Sequence, residues 1–173
     1  DRIFAAGEKR FSKTYESAKQ SIDETLAKTG LDYLDMMIIH SPQPWAEFNK
    51  SDNRYIEGNR AAWRALEEAY KAGKLRAIGV SNFLIEDLES LTEVCSVKPM
   101  VNQILLHICN TPLELVEFCQ NSDIAVEAYS PIAHGEILNQ PHIKAMADKS
   151  YVLCSAATFE TTNSSSRGIP QVL

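Results

Sequence analysis

Residues 31–45, LDYLDMMIIHSPQPW, contain a nearly unbroken apolar run, DMMIIH at 35–40, that stops at a histidine followed by Ser-Pro. A run this short and without alternation reads as a strand covered on both faces, the way strands of a parallel sheet are buried. Upstream, Tyr15, Ala18, Ile22 and Leu26 recur at helical spacing between Thr14 and Thr29, and Gly30 follows as a stop. Downstream, 41–58 is rich in Pro, Asn, Asp and Ser and reads as a long loop. Asn59 is expected to cap a second helix with the stripe Ala62, Trp63, Leu66, Ala69 and Tyr70, ended by Gly73.

The same alternation continues to the end of the periodic region. LRAIGVSNF (75–83) reads as a strand, and Ile85, Leu88 and Leu91 mark the helix after it. PMVNQILLH (99–107) is strand-like. TPLE (111–114) predicts a helix start, with Thr111 as cap, Pro112 at the first helical position and Glu114 closing a capping box. Leu115, Phe118 and Cys119 give that helix its buried face. IAVEAYSP (124–131) is a fourth strand, and Pro141 opens a last helix running through Lys149. A helix followed by four strand-helix units, each of about 30 residues, predicts a parallel sheet covered by helices at the pace of a (β/α)8 barrel. Four units make an incomplete barrel. A doubly wound open sheet usually shows a glycine-rich first turn, and no G-x-G-x-x-G occurs here.

Bulk properties narrow the function. The 173 residues suit one domain, with 45% hydrophobic and 23% charged residues as in ordinary globular proteins. The net charge of -6, from 17 basic and 23 acidic residues, offers no basic stripe for nucleic acid and no polybasic membrane patch. No apolar run approaches the ~20 residues that span a bilayer. DRIFAAGEKRF, at the N-terminus, lacks the long apolar core of a secretory signal, and without an initiator Met the start is expected upstream. Cys95, Cys109, Cys119 and Cys154 show no C-x-x-C and read as reduced, core-filling cysteine of a cytoplasmic protein. His107 and Cys109 lack a second pair at ligand spacing, so no metal is expected.

Polar residues sit where the strands run out: His40-Ser41 ends the first, Ser81-Asn82 the second and Tyr129-Ser130 the fourth, while the third carries Asn102-Gln103 inside its apolar run. Each alone has an ordinary reading. A histidine there is often a partly buried strand cap, Ser-Asn often caps the next helix, and buried Gln or Tyr often satisfies a backbone group. Recurrence at equivalent strand ends points instead to a site, because barrel enzymes build theirs at that face.

LDYLDMMIIHSP, GKLRAIGVSNF, VNQILLH and AYSPI resemble, in order, signature segments of the aldo-keto reductase superfamily, from about Tyr15 to Lys149. The resemblance implies a (β/α)8 barrel and NADPH-dependent reduction of an aldehyde or ketone, with a small carbonyl compound as substrate. It implies that His40 donates a hydrogen bond to the substrate carbonyl. Ser81, Asn82 and Gln103 would hold the nicotinamide carboxamide, Tyr129 would stack on the nicotinamide, and Ser130 would follow in the cofactor-binding segment. The residue types suit these roles. An imidazole N–H can stabilise the negative charge that hydride attack builds on oxygen. Asn and Gln offer the donor and acceptor that a planar carboxamide matches. The protein supplies orientation, and the cofactor supplies the hydride.

Two stretches depart from the family pattern. The family's proton-donating tyrosine, with its aspartate and lysine, lies on strands before the first helix here. None has a match: Asp35 lies within the strand before His40, and Lys9 and Arg2 align poorly. After Lys149, SYVLCSAATFETTNSSSRGIPQVL has neither the helical period nor the family's next strand, and Arg167 sits in no phosphate motif. The expected organisation is therefore a partial barrel over 1–149 and a divergent tail over 150–173, of shifted-frame or alternative-splice origin. Activity is expected to be impaired, and exposed sheet edges are expected to favour association. Trp45 and Phe48 would border an apolar carbonyl pocket, although such aromatics are at least as often loop packing. Two other readings stay open: a non-catalytic module that binds nucleotide or a partner, and an inactive gene fragment.

Overall fold

The computed structural model describes residues 13–48 and 50–150. The expectations for the tail, and for Arg2 and Lys9, lie outside them. The elements are α1 (Tyr15–Thr29), β1 (Met37–Ile39), α2 (Ile56–Lys71), β2 (Ile78–Ser81) and α3 (Ile85–Thr92), followed by β3 (Val101–Leu105), α4 (Leu113–Asn121), β4 (Ala125–Tyr129) and α5 (Pro141–Ser150). A 3-10 segment, Ala133–Asn139, precedes α5. The strands hydrogen-bond in the order β1-β2-β3-β4, with a helix in every connection. A doubly wound sheet reverses its strand order at a switch point. This order has no reversal, which is the sequence of strands around a βα barrel. No helix among the described residues is long and apolar enough to cross a membrane.

The chain divides into two compact units at the 102/103 boundary. In the first, Thr14 caps α1 by accepting from Ser17 N, and the left-handed Gly30 (φ 67) closes it, as the residue types predict. Helix α1 packs on α2. β1 and β2 pair in parallel, Met37 with Ile78, Ile38 with Gly79 and Ile39 with Val80. Both strands are buried throughout. Gly79 is required by close approach: a Cβ there would meet the Val101 carbonyl oxygen at 2.7 Å. Ile22, Trp63, Leu75, Ile78, Val80, Phe83, Leu88 and Leu91 form the core. Trp63 Nε1 donates to Val97 O at 3.0 Å, giving the buried indole its partner.

Asn59 does not cap α2. The helix starts earlier, behind the left-handed Tyr55 (φ 51), whose amide donates to Asn53 Oδ1 at 3.1 Å. Asn59 is buried within α2, and its amide ties down the preceding loop instead.

In the second unit α4 packs on β4, and α5 on the 3-10 segment. Ile104, Leu106, Leu115, Val116, Cys119, Ile124, Val126, Ile137 and Ile143 are buried. Helix α4 opens at Leu113 without a side-chain cap. The Thr111 hydroxyl, expected to cap it, donates to His107 O at 3.2 Å, closing the turn after β3. β4 is less enclosed than an apolar strand suggests, with Ala125 and Ala128 exposed, because it ends the strand order. Cys119 fills the core as expected, whereas Cys95 is half-buried and Cys109 exposed. His107 Nδ1 accepts from Cys109 N at 3.3 Å, so that pair closes a turn. Among the described residues no three metal-ligating side chains come together.

Candidate active site

In the first unit β1 delivers His40 at its end, where the ladder stops. The imidazole is half-buried, and burial holds its pKa below the ordinary value, so it is mainly neutral at pH 7 with one N–H to donate. Trp45 meets the ring edge-on, with centroids 5.2 Å apart, and Phe48 stacks edge-on against Trp45 at 5.0 Å. The two aromatics therefore form one cluster with the histidine.

Ser81 and Asn82 close β2, both buried. Asn82 takes the left-handed conformation (φ 62), which Asn tolerates better than most residues. Its Nδ2 donates to His40 O at 3.0 Å and to Ser81 Oγ at 2.9 Å. The structure thus brings His40, Ser81 and Asn82 together. Asn102, fully buried, donates through Nδ2 to Phe83 O at 2.9 Å and holds the turn that follows.

In the second unit Gln103 is buried on β3, and its Nε2 donates to Glu127 Oε1 at 3.0 Å. Tyr129 ends β4 half-buried, and burial raises its hydroxyl pKa. Ser130 follows in the left-handed conformation (φ 51), with Oγ 3.4 Å from His134 Nε2. Strained backbone at a strand end is typical of sites where the fold fixes a side chain's direction.

The loop over β1 is held by a buried polar network. Gln43, wholly buried, donates to Ser51 O at 2.7 Å and Asn53 O at 2.8 Å, and its Oε1 accepts from Arg54 at 3.2 Å. Arg54 forms a bidentate pair with the buried Asp87, one arm of it Nε to Oδ1 at 2.9 Å. That pairing raises the guanidinium pKa further.

Sequence reasoning missed Lys13, Asn59 and Glu127. The Lys13 ammonium donates to Ser41 O and Asn59 Oδ1, and burial pushes its pKa down to about 7. Its signal was its place just before Thr14, the cap of α1. Glu127 lies two residues before Tyr129, hence on the same side of the strand, and was the one charge in IAVEAY.

Comparison with known proteins gives this geometry its context. The chain is 42% identical over 134 residues to an uncharacterized oxidoreductase, YtbE, of Bacillus subtilis, covering 77% of this chain and 43% of that protein. It is 42% identical over 122 residues to the NADPH-dependent alpha-keto amide reductase of Saccharomyces cerevisiae, covering 69% of this chain and 37% of that one. The chain therefore spans less than half the length of these curated relatives. An aldo/keto reductase from Brucella melitensis superposes with a TM-score of 0.74 at 34% identity, over 87% of this chain and 56% of that one. A Bombyx mori aldo-keto reductase solved with NADP gives 0.66 at 28% identity, over 83% and 49%. Four strands in sequence order, each followed by a helix, are thus part of a TIM-type (β/α)8 barrel. The sequence profile of the Aldo/keto reductase family matches residues 2–157, and this chain belongs to that family.

Proposed function

We propose that the chain takes part in NADPH-dependent reduction of aldehydes or ketones, with His40 as the donor to the substrate carbonyl. The observation that supports this best is the half-buried imidazole of His40 at the end of β1, its carbonyl held by Asn82. In the reading we favour, Ser81, Asn82 and Gln103 recognise the nicotinamide carboxamide, and Tyr129 and Ser130 lie along the cofactor. The donor set fits: Asn82 and Gln103 are buried amides and Ser81 is a buried hydroxyl, groups suited to a planar amide partner. When bound, NADPH supplies the hydride. His40 orients the carbonyl and stabilises the negative charge on its oxygen as that charge develops. Trp45 beside the imidazole would give the carbonyl carbon an apolar neighbour and exclude water, favouring substrates with an apolar group next to the carbonyl. We place this activity in the cytoplasm.

A second reading, a module that binds nucleotide without turnover, is favoured by the described tyrosines before β2. The Tyr15 and Tyr55 hydroxyls are taken by Glu68 and Glu47, and Tyr33 lies against the Arg76 guanidinium at 3.8 Å. NADPH consumption with a generic aldehyde separates the readings. We expect slow turnover that falls roughly a hundredfold in His40→Ala, the size of effect seen on losing one oxyanion donor. Turnover unchanged by His40→Ala contradicts the assigned role, and saturable NADPH binding with no turnover selects the second reading.

A further inference from the structure

Where the chain leaves β1 it gives up the sheet's hydrogen bonds, and each carbonyl that follows needs another donor. The structure supplies them one by one from side chains. His40 O accepts from Asn82 Nδ2 at 3.0 Å, Ser41 O from Lys13 Nζ, and Pro42 O from Asn59 Nδ2 at 3.2 Å. Three consecutive carbonyls are therefore tied to the end of β2, the turn before α1, and α2. The ties are also joined to one another, because Lys13 Nζ reaches Asn59 Oδ1 and Asn59 Nδ2 reaches Arg54 O at 2.9 Å.

We propose that Lys13 is a positioning residue for His40, acting with Asn59 and Asn82 as a clamp on the 40–42 backbone that sets the direction of the imidazole. A fold that needed only to fill this space would use an apolar side chain, because a buried amine costs free energy unless it is partnered. Here the amine sits one residue past the histidine, 5.9 Å from the Phe83 ring centroid. Asp87, a carboxylate whose charge acts on it, also pairs with Arg54. Both the ammonium and the neutral amine can donate to Ser41 O, so the clamp holds on either side of neutrality.

The effect on His40's environment stands apart from the proposed reductase function; only the effect on turnover rests on it. The test uses the full chain, labelled at its four histidines, with side-chain NMR titration of each imidazole. In Lys13→Met, the His40 pKa should move up toward the ordinary ~6.5 as the ring loosens into water, with His107, His134 and His142 unchanged. Lys13→Arg, which keeps paired N–H donors, should restore the lowered value. A His40 titration in Lys13→Met identical to that of the unmutated chain overturns the proposal. If that variant does not fold, the unmutated protein still decides: a nuclear Overhauser contact from the Lys13 ε-methylene to Ser41 Hα is expected, and its absence overturns the clamp. Where turnover is measurable, Lys13→Met should lower kcat at least about tenfold with KM for NADPH unchanged, the cost of a misplaced group. It should lower it no further in a His40→Ala background. A full additional loss there overturns the proposal. A shifted His40 in a chain with no turnover supports the clamp and removes the reductase reading alone.

Discussion

At the scale of single residues, burial lowers the pKa of two bases: His40, which presents an N–H, and Lys13, whose amine donates to the carbonyl of Ser41, the residue after His40. For Lys13 the consequence for stability has a definite sign. Its folded pKa of about 7 lies below the ~10.4 of an unfolded lysine, so between those values the unfolded chain binds a proton that the folded chain has released. Stability should therefore rise with pH across that window. Thermal melts from pH 7 to 9 should climb more steeply in the unmutated chain than in Lys13→Met, a comparison in which other titrating groups cancel. Parallel slopes would contradict the burial. At this scale the sequence singled out candidates, and the structure gives their places: His40, Ser81 and Asn82 at or just past the ends of β1 and β2, and Gln103 within β3. His40, Ser81, Asn82, Gln103, Tyr129 and Ser130 stood out because strand ends carry polar residues in register. Lys13 did not, because its role depends on how far a flexible side chain reaches across 28 residues to Ser41.

At the scale of elements, the loop between β1 and α2 is fastened more firmly than its composition suggests. Proline, serine and asparagine announce a loop but not the buried Gln43 beneath it, nor Arg54 crossing to Asp87 on α3. The pair is enclosed, with 13% of the Arg54 side chain and 1% of that of Asp87 exposed. Asp87→Ala leaves a largely buried guanidinium without its main partner, which should cost about 3 kcal/mol, the low end for breaking a buried pair because Gln43 remains. Urea unfolding should show this as a lower midpoint at unchanged slope. A loss below about 0.5 kcal/mol, ordinary for a surface substitution, would mean the loop is held elsewhere. Among the described residues, periodicity placed the α-helices and strands in order, because burial on one face or on two leaves its mark in local spacing. It misplaced the caps at Asn59 and Thr111, since both side chains serve carbonyls distant from the helix they precede or join. The 3-10 segment escaped notice because its turn, through His134 and Gly135 at positive φ, has no apolar period.

At the scale of the molecule, the chain belongs to the Aldo/keto reductase family; barrels of this type gather function at the carboxyl ends of their strands, and here β1, β2 and β4 end on His40, Ser81-Asn82 and Tyr129-Ser130. The first unit holds a histidine whose carbonyl accepts from Asn82 and an Asn-Ser pair, and within the second unit the buried amide of Gln103 donates to Glu127. The account centres on recognition of NADPH by the full chain, and direct titration tests it. Only two tryptophans are present, Trp45 beside His40 and the core Trp63, so NADPH binding can be followed by the quenching of Trp45 fluorescence in Trp63→Phe. The account predicts saturable quenching that weakens about tenfold in Asn82→Ala, a loss of roughly 1.4 kcal/mol, the worth of a hydrogen-bonded contact. Unsaturable quenching, or the same affinity in Asn82→Ala, would contradict it.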